Sequence, residues 1–296
     1  VLDILLRDQT TQKNIIWATS SYNSLGKAYL KSKPIKSELI TGSNGNIIMP
    51  RVQKDQILQQ SRLKNRAEVF TPSWICNAQN NIIDNSWFDR KNIFNKEIPS
   101  EKKWRTNKTK IKFPKNKTWK DYVNDTRLEI TCGEAPYITS RYDTTTGKFI
   151  VIENRIGLLD RKLRVINENV DDPYNWIEAS KLAYKNTYAY EWQGDSLLLA
   201  RESMLFTFIE NFKYKFEKEP SLKLMQDIAL IISWNVWQMD GLRGVVPYSC
   251  GEIKTKIVNL FGEEETDNSL CKGCLDNNMF RHNGIYSFIK DWPNNE

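Results

Sequence analysis

Three acidic residues stand at the ends of short runs of strand-forming residues. Glu129 lies in Leu128-Glu129-Ile130-Thr131, Glu191 closes Tyr188-Ala189-Tyr190-Glu191, and Asp240 follows Val236-Trp237-Gln238-Met239. In a parallel α/β sheet, ligands bind beyond the carboxyl ends of the strands, so acids at those ends face a crevice. After the first acid, Cys132-Gly133-Glu134-Ala135-Pro136-Tyr137 reads as a tight turn, and its glycine lets the backbone approach a bound molecule. One acid can take ribose hydroxyls and another an adenine amino group, which suits a nucleoside with a charged tail. Read singly, each feature has a plainer meaning: Phe70-Thr71-Pro72 is a common helix start, Cys132-Gly133 an ordinary turn, and Glu191 and Asp240 helix caps.

A second group lies near the C-terminal end. Cys271-Lys272-Gly273-Cys274 is a Cys-x-x-Cys knuckle, with Cys250 upstream and His282, the only histidine, eight residues downstream. Four soft ligands make a closed tetrahedral zinc site of structural type, with no position open for water. The alternatives are unliganded thiols or a redox pair. The knuckle does not follow a strand and open a helix, as a thioredoxin-type pair would.

Charge marks a third region. The formal net charge is +7, yet residues 101–120 hold nine bases against Glu101, so the rest of the chain sums to −1. Lys108, Lys110, Lys112, Lys115 and Lys117 lie in this tract, interleaved by Trp104, Phe113 and Trp119. Such a tract can neutralise the phosphates of double-stranded DNA while its rings pack or stack on bases; the plainer reading is a solvated lysine-rich loop.

These residues need elements to position them. Residues 14–19 read as a strand, 41–46 as a turn, 53–64 as a helix, and 73–83 as a helix capped by Ser73. Residues 88–124 are a basic, proline-punctuated excursion. From Arg127 the pattern alternates: strand 127–131, helix 156–170 with Leu158, Leu159, Leu163 and Ile166 on one face, and helix 176–185. Strand 187–192 follows, then a long helix capped by Asp195, a helix over 221–231 with Pro220 in its first turn, and strand 232–238. This order argues for α/β architecture with a parallel sheet covered on both faces.

Ten Trp, twelve Tyr and twelve Phe in 296 residues exclude a disordered chain. No apolar run reaches the roughly eighteen residues of a membrane span. The first residues carry acids where a signal peptide carries bases, and five cysteines make no disulfide scaffold. A cytoplasmic, globular protein is expected.

In this order the motifs resemble the S-adenosylmethionine-dependent DNA adenine amino-methyltransferases of restriction–modification systems. Their glycine motif has the form Asp-Pro-x-Cys-Gly-x-Gly-x-Phe; Glu129, Cys132, Gly133 and Tyr137 match in kind, while Ile130 replaces the proline and Ala135 the second glycine. Phe70-Thr71-Pro72 is similar to the family's Phe-Thr-Pro segment, which implies Thr71 near the methionine carboxylate. The resemblance further implies Glu191 on the ribose, Trp192 packed on adenine, and Asp240 on the adenine amino group within an Asn-x-x-x-x-Asp-x-Leu pattern that ends at Leu242. It covers roughly residues 62–245, and it implies a Rossmann-like methyltransferase three-layer sandwich, S-adenosylmethionine as cofactor and double-stranded DNA as substrate. A restriction endonuclease or specificity subunit is the implied partner. The implied organisation is an N-terminal extension (1–60), the Phe-Thr-Pro loop, helix and basic tract (61–125), the cofactor domain (126–245), and a Cys-rich appendage with the zinc knuckle (246–296).

One departure bears on activity. The family's Asn/Asp/Ser-Pro-Pro-Tyr/Phe element, which holds the flipped base, follows the next strand and is absent here; Asp171-Asp172-Pro173-Tyr174 and Val245-Val246-Pro247-Tyr248 do not replace it. The chain is then either an N-terminal portion of a longer enzyme, as its Val start suggests, or a methyltransferase-like domain that scaffolds or binds DNA without methylating. A magnesium nuclease is the remaining reading, from Asp240 with Glu252-Ile253-Lys254.

Overall fold

A computed structural model describes residues 1–54, 71–251, 253–258 and 264–292, with the antiparallel pair Ile253–Val258 and Glu264–Ser269 described by backbone pairing alone. The expected helix over 53–64 falls almost wholly outside these residues, as do Phe70 and Glu252.

The alternating second half forms as the apolar spacing requires. Its elements are β1 (Arg127–Glu129), α1 (Leu158–Asn169), α2 (Pro173–Lys185), β2 (Thr187–Glu191), α3 (Gly194–Phe216), α4 (Leu222–Asn235) and β3 (Val236–Gln238). The three strands make one parallel sheet in the order β1-β2-β3, with Glu129 opposite Ala189 and Glu191 opposite Gln238. Leu158, Leu159, Leu163 and Ile166 are all buried, so the helical stripe read from spacing is the face that α1 packs inward. The first turn of α1 is held by Asp160, whose Oδ2 accepts the N–H groups of Gly157 (3.1 Å) and Ser140 (2.8 Å). Trp176 of α2 is fully buried against Phe208, Phe212 and Phe216 of α3, at ring separations of 5.5–5.7 Å.

Some boundaries moved. Residues 232–235 continue α4 rather than starting the strand, because the buried Asn235 side chain donates to the carbonyls of Tyr184 (3.0 Å) and Lys185 (2.9 Å) and ties the helix end beside the start of β2. Ser221 caps α4 by accepting the Leu224 N–H, which leaves Pro220 outside the helix. Asp195 is not a cap: it sits inside the first turn of α3, fully buried, where it accepts the Tyr22 hydroxyl (2.7 Å) and faces Lys54 (3.4 Å). Nor does Ser73 cap its helix, Ser73–Phe88; the Asp143 carboxylate crosses over to accept the Ser73 N–H (2.8 Å). That distant capping carries no local sequence signal.

Residues 1–54 are part of the core and not a loose extension. Leu5, Leu6, Ile15, Trp17, Tyr22, Tyr29 and Ile35 are buried in the same cluster as α1, α3 and α4. Of the run 14–19 expected to be extended, only Asn14 lies in a strand, the two-residue Lys13–Asn14, and Ile16 makes a single antiparallel bridge to Pro34. Ile16 also pairs with a side chain: Gln238 accepts the Ile16 N–H (2.8 Å) and donates to the Ile16 carbonyl (2.7 Å). Arg201, fully buried, donates to the carbonyls of Leu5 (2.5 Å), Arg7 (2.9 Å) and Val236 (2.6 Å), joining this segment to β3. Among the described residues no helix is long and apolar enough to cross a membrane.

Candidate functional site

The three strand ends converge. Glu129, buried at the end of β1, accepts the N–H groups of Ile138 (3.0 Å) and Tyr137 (3.4 Å), so it folds the Cys-Gly turn back over its own strand. Glu191 reaches across from β2: its Oε2 accepts the Gly133 N–H (2.8 Å), and its Oε1 accepts those of Trp192 (2.9 Å) and Gln193 (3.1 Å). Gly133 has φ of +55°, the left-handed backbone that places its N–H toward that carboxylate. Thr131 (φ +46°) and Ala135 (φ +59°) share this conformation, so the turn follows a glycine-like path at two residues that are not glycine.

Burial of two neighbouring carboxylates shifts both. Desolvation pushes Glu129 up to about 8 despite its two N–H bonds, with the charge of Glu191 adding to the rise. Desolvation also raises Glu191, against hydrogen bonds from Gln193 and Gly133. The Cys132 thiol between them is raised by burial and by both acids, which keeps it protonated and inert.

The Thr71 carbonyl accepts the Thr144 hydroxyl (3.1 Å) and the Cys76 thiol (3.5 Å). Trp192 fixes its ring by donating Nε1–H to the Ala18 carbonyl (3.1 Å). Asp240, just past β3, accepts the Leu242 N–H (3.1 Å) and lies 3.5 Å from Arg243. Leu242 projects outward, 90% exposed, and packs on nothing. Spacing did not identify Gln238 or Tyr248 as part of this neighbourhood; Gln238 carries no motif, and Tyr248 owes its place to a backbone turn at φ +61°.

The cysteine knuckle assembles as well, although, against the expectation from sequence, it follows the strand Glu264–Ser269 and opens a short helix, Lys272–Leu275, with Cys271 at its N-terminus. Nδ1 of His282 lies 3.5 Å from the sulfurs of Cys250 and Cys271 and 3.6 Å from that of Cys274; the Cys250 and Cys274 sulfurs are 3.5 Å apart. All four donor atoms fall within 4.8 Å of one another. A tetrahedral ion with bonds of about 2.3 Å to sulfur and about 2.0 Å to nitrogen needs ligand separations of roughly 3.5–3.8 Å. The cluster therefore can hold a metal such as zinc. The Asn283 N–H donates to Cys271 Sγ (3.3 Å), the support a thiolate ligand takes from its second shell. A Cβ on Gly273 would meet the His282 backbone nitrogen at 2.6 Å, so this glycine lets the histidine close on the knuckle.

The basic tract divides. Lys108, Lys110, Lys112 and Lys115 are exposed, but Lys117 donates to the Trp87 carbonyl (2.8 Å) with its ammonium 4.3 Å from the Trp87 ring centre. The interleaved rings are each partly engaged by the protein. Trp104 donates to the Asn154 carbonyl, and Phe113 and Trp119 pack on the core. The tract presents charge together with half-buried aromatic rings.

Comparison of the chain with protein-family models, with characterised proteins and with solved structures returns no match.

Proposed function

We propose that the strand ends form an S-adenosylmethionine site, and that the chain is the cofactor-binding part of a DNA adenine amino-methyltransferase of restriction–modification type. The observation that carries this reading is the link from Glu191 to the Gly133 N–H between adjacent parallel strands. It brings the ribose-type acid and the glycine turn together. The reading assigns Glu191 to the ribose, Asp240 to the adenine amino group, Trp192 to the adenine face and Thr71 to the methionine end.

The strand order supports a doubly wound, three-layer Rossmann-like domain. In that architecture the third, second and first strands lie side by side and the next strand pairs beyond the first. Here the outer edge of β1 carries no strand among the described residues, and Leu128 and Ile130 beside it are exposed. In the family, the element that holds the flipped adenine follows that next strand. The reaction this reading implies moves a methyl group from the cofactor sulfonium to the exocyclic nitrogen of adenine, with loss of a proton from that nitrogen. The residues of this chain supply cofactor binding, while Lys108, Lys110, Lys112 and Lys115 supply contacts to DNA phosphates. The cysteine cluster takes structural zinc, and a restriction endonuclease or specificity subunit is the expected partner in the cytoplasm.

A scaffold that keeps the fold without methylating is favoured by one observation: Glu191 already accepts three backbone N–H bonds, which leaves about one of its four lone-pair positions for a ribose. Calorimetric titration with S-adenosylmethionine separates these readings. Binding that weakens about tenfold or more in Glu191→Ala and in Asp240→Ala supports the cofactor site, the loss expected for a charge-assisted hydrogen bond. No binding by the unaltered chain sinks it. A DNA titration at several salt concentrations tests the tract: neutralising Lys108, Lys110 and Lys112 should lower the salt slope by about 2–3.

A further inference from the structure

The cysteine cluster is bonded to the end of β3 through a short relay. Tyr248 precedes the ligand Cys250 by two residues and has φ of +61°. A left-handed backbone is strained for a bulky residue, so it persists only where its surroundings impose it. Those surroundings are the segment that carries His282. The Val246 N–H donates to the Ile285 carbonyl (2.8 Å), and the Ile285 N–H donates to Ser249 Oγ (3.0 Å). Val245 bridges to Tyr286, whose hydroxyl accepts the His282 N–H (2.7 Å) and donates to the Met279 carbonyl (2.8 Å). Val245 in turn accepts the Asp240 N–H (2.8 Å).

The segment has few buried side chains; besides this relay it is tied at Phe288, whose N–H donates to Thr10 Oγ1 (3.0 Å) and whose carbonyl accepts the Trp237 Nε1–H (3.0 Å), and at Trp292, whose Nε1–H donates to Asn235 Oδ1 (2.8 Å). After Ser249, only Cys271 and Gly273 are buried among the residues whose side chains are described. On its other side, the Tyr248 ring stands edge-on to Trp192 at 5.2 Å and 79°, and Tyr248 Oη and Trp192 Nε1 both donate to the Ala18 carbonyl.

We propose that the metal bound by Cys250, Cys271, Cys274 and His282 positions Tyr248 against Trp192, and that this aromatic pair walls the strand-end site, so that affinity for an adenine nucleoside depends on the metal. The second half of this statement rests on the cofactor reading above; the first does not.

The test uses the zinc-loaded chain labelled with 5-fluorotryptophan, with the Trp192 and Trp176 fluorine resonances assigned from Trp192→Phe and Trp176→Phe. Chelation with EDTA should shift the Trp192 resonance, leave that of core Trp176 in place, and be reversed by zinc. In Tyr248→Ala, chelation should leave Trp192 unmoved. A Trp192 resonance indifferent to chelation, or one that moves only together with Trp176, overturns the proposal. Calorimetric titration with S-adenosylmethionine should give about fivefold weaker binding both after chelation and in Tyr248→Ala, the loss of one aromatic wall. Equal affinity with and without zinc overturns the coupling while leaving the nucleoside reading intact. Absence of binding by the zinc-loaded chain removes the nucleoside reading and the affinity half of the proposal, and the fluorine shift then decides the link from metal to Tyr248 alone.

Discussion

The strand-end turn and the cysteine appendage each gather residues scattered over the chain, by opposite means. Glu129, Gly133 and Glu191 are drawn together by the sheet and by the apolar core beneath it, with two carboxylates buried at a cost visible in their raised protonation. Cys250, Cys271, Cys274 and His282 are drawn together with almost no core, by donor atoms at metal-ligand spacing. In the first region packing holds the chemistry in place; in the second the chemistry holds the packing. The two should therefore fail under different insults.

The largest expected effect is metal removal. Structural zinc contributes on the order of 10 kcal/mol to small domains that lack a core. Chelation should abolish amide-exchange protection across residues 270–286 while residues 187–212 stay protected; protection lost equally in both regions would erase the contrast. Next comes Arg201→Ala, which leaves the carbonyls of Leu5, Arg7 and Val236 without this donor. A loss of about 3–5 kcal/mol in denaturant unfolding is expected. A loss below 1 kcal/mol would show that residues 1–54 are not tied to β3 by this side chain.

Smaller effects probe the strand-end turn itself. Glu129 has a folded pKa of about 8, above the ordinary carboxylate value, so the folded state holds its proton more tightly than the unfolded state. Its stabilising contribution is complete below about pH 4 and is lost as pH rises toward 8. Glu129→Gln should flatten the fall of the melting temperature across that window; an unchanged slope would place the titration elsewhere. The smallest effect is at Thr131, an exposed β-branched residue at φ +46°. Thr131→Gly should stabilise by about 0.5–1 kcal/mol, after the entropy of the added glycine is set against the relieved strain. Destabilisation would mean that the turn draws on the Thr131 side chain.

Much of the architecture was legible because it is local. The stripe Leu158, Leu159, Leu163 and Ile166 names the buried face of α1, and Arg127, Thr187 and Val236 open the three strands within a few residues of where the pattern changes. The knuckle was legible because ligand spacing is itself the constraint. What escaped was set by distant groups: Asp143 capping the helix at Ser73, Gln238 standing in for a strand partner of Ile16, and Asp195 buried against Tyr22 and Lys54. The interleaved aromatics of the basic tract were ambiguous for the same reason, since composition does not say which face a ring turns inward.

The sequence by itself determined the alternation of strands and helices, the placing of acids at strand ends, the basic tract and the four-ligand set. Each follows from period, spacing or local charge, quantities that neighbouring residues express. Only the tertiary structure decided that residues 1–54 belong to the core, that Glu191 bonds the Gly133 turn, and that Tyr248 links the knuckle to Trp192. Those are contacts between segments far apart in the chain, made when burial forces each polar group to find whatever partner the packing brings within reach.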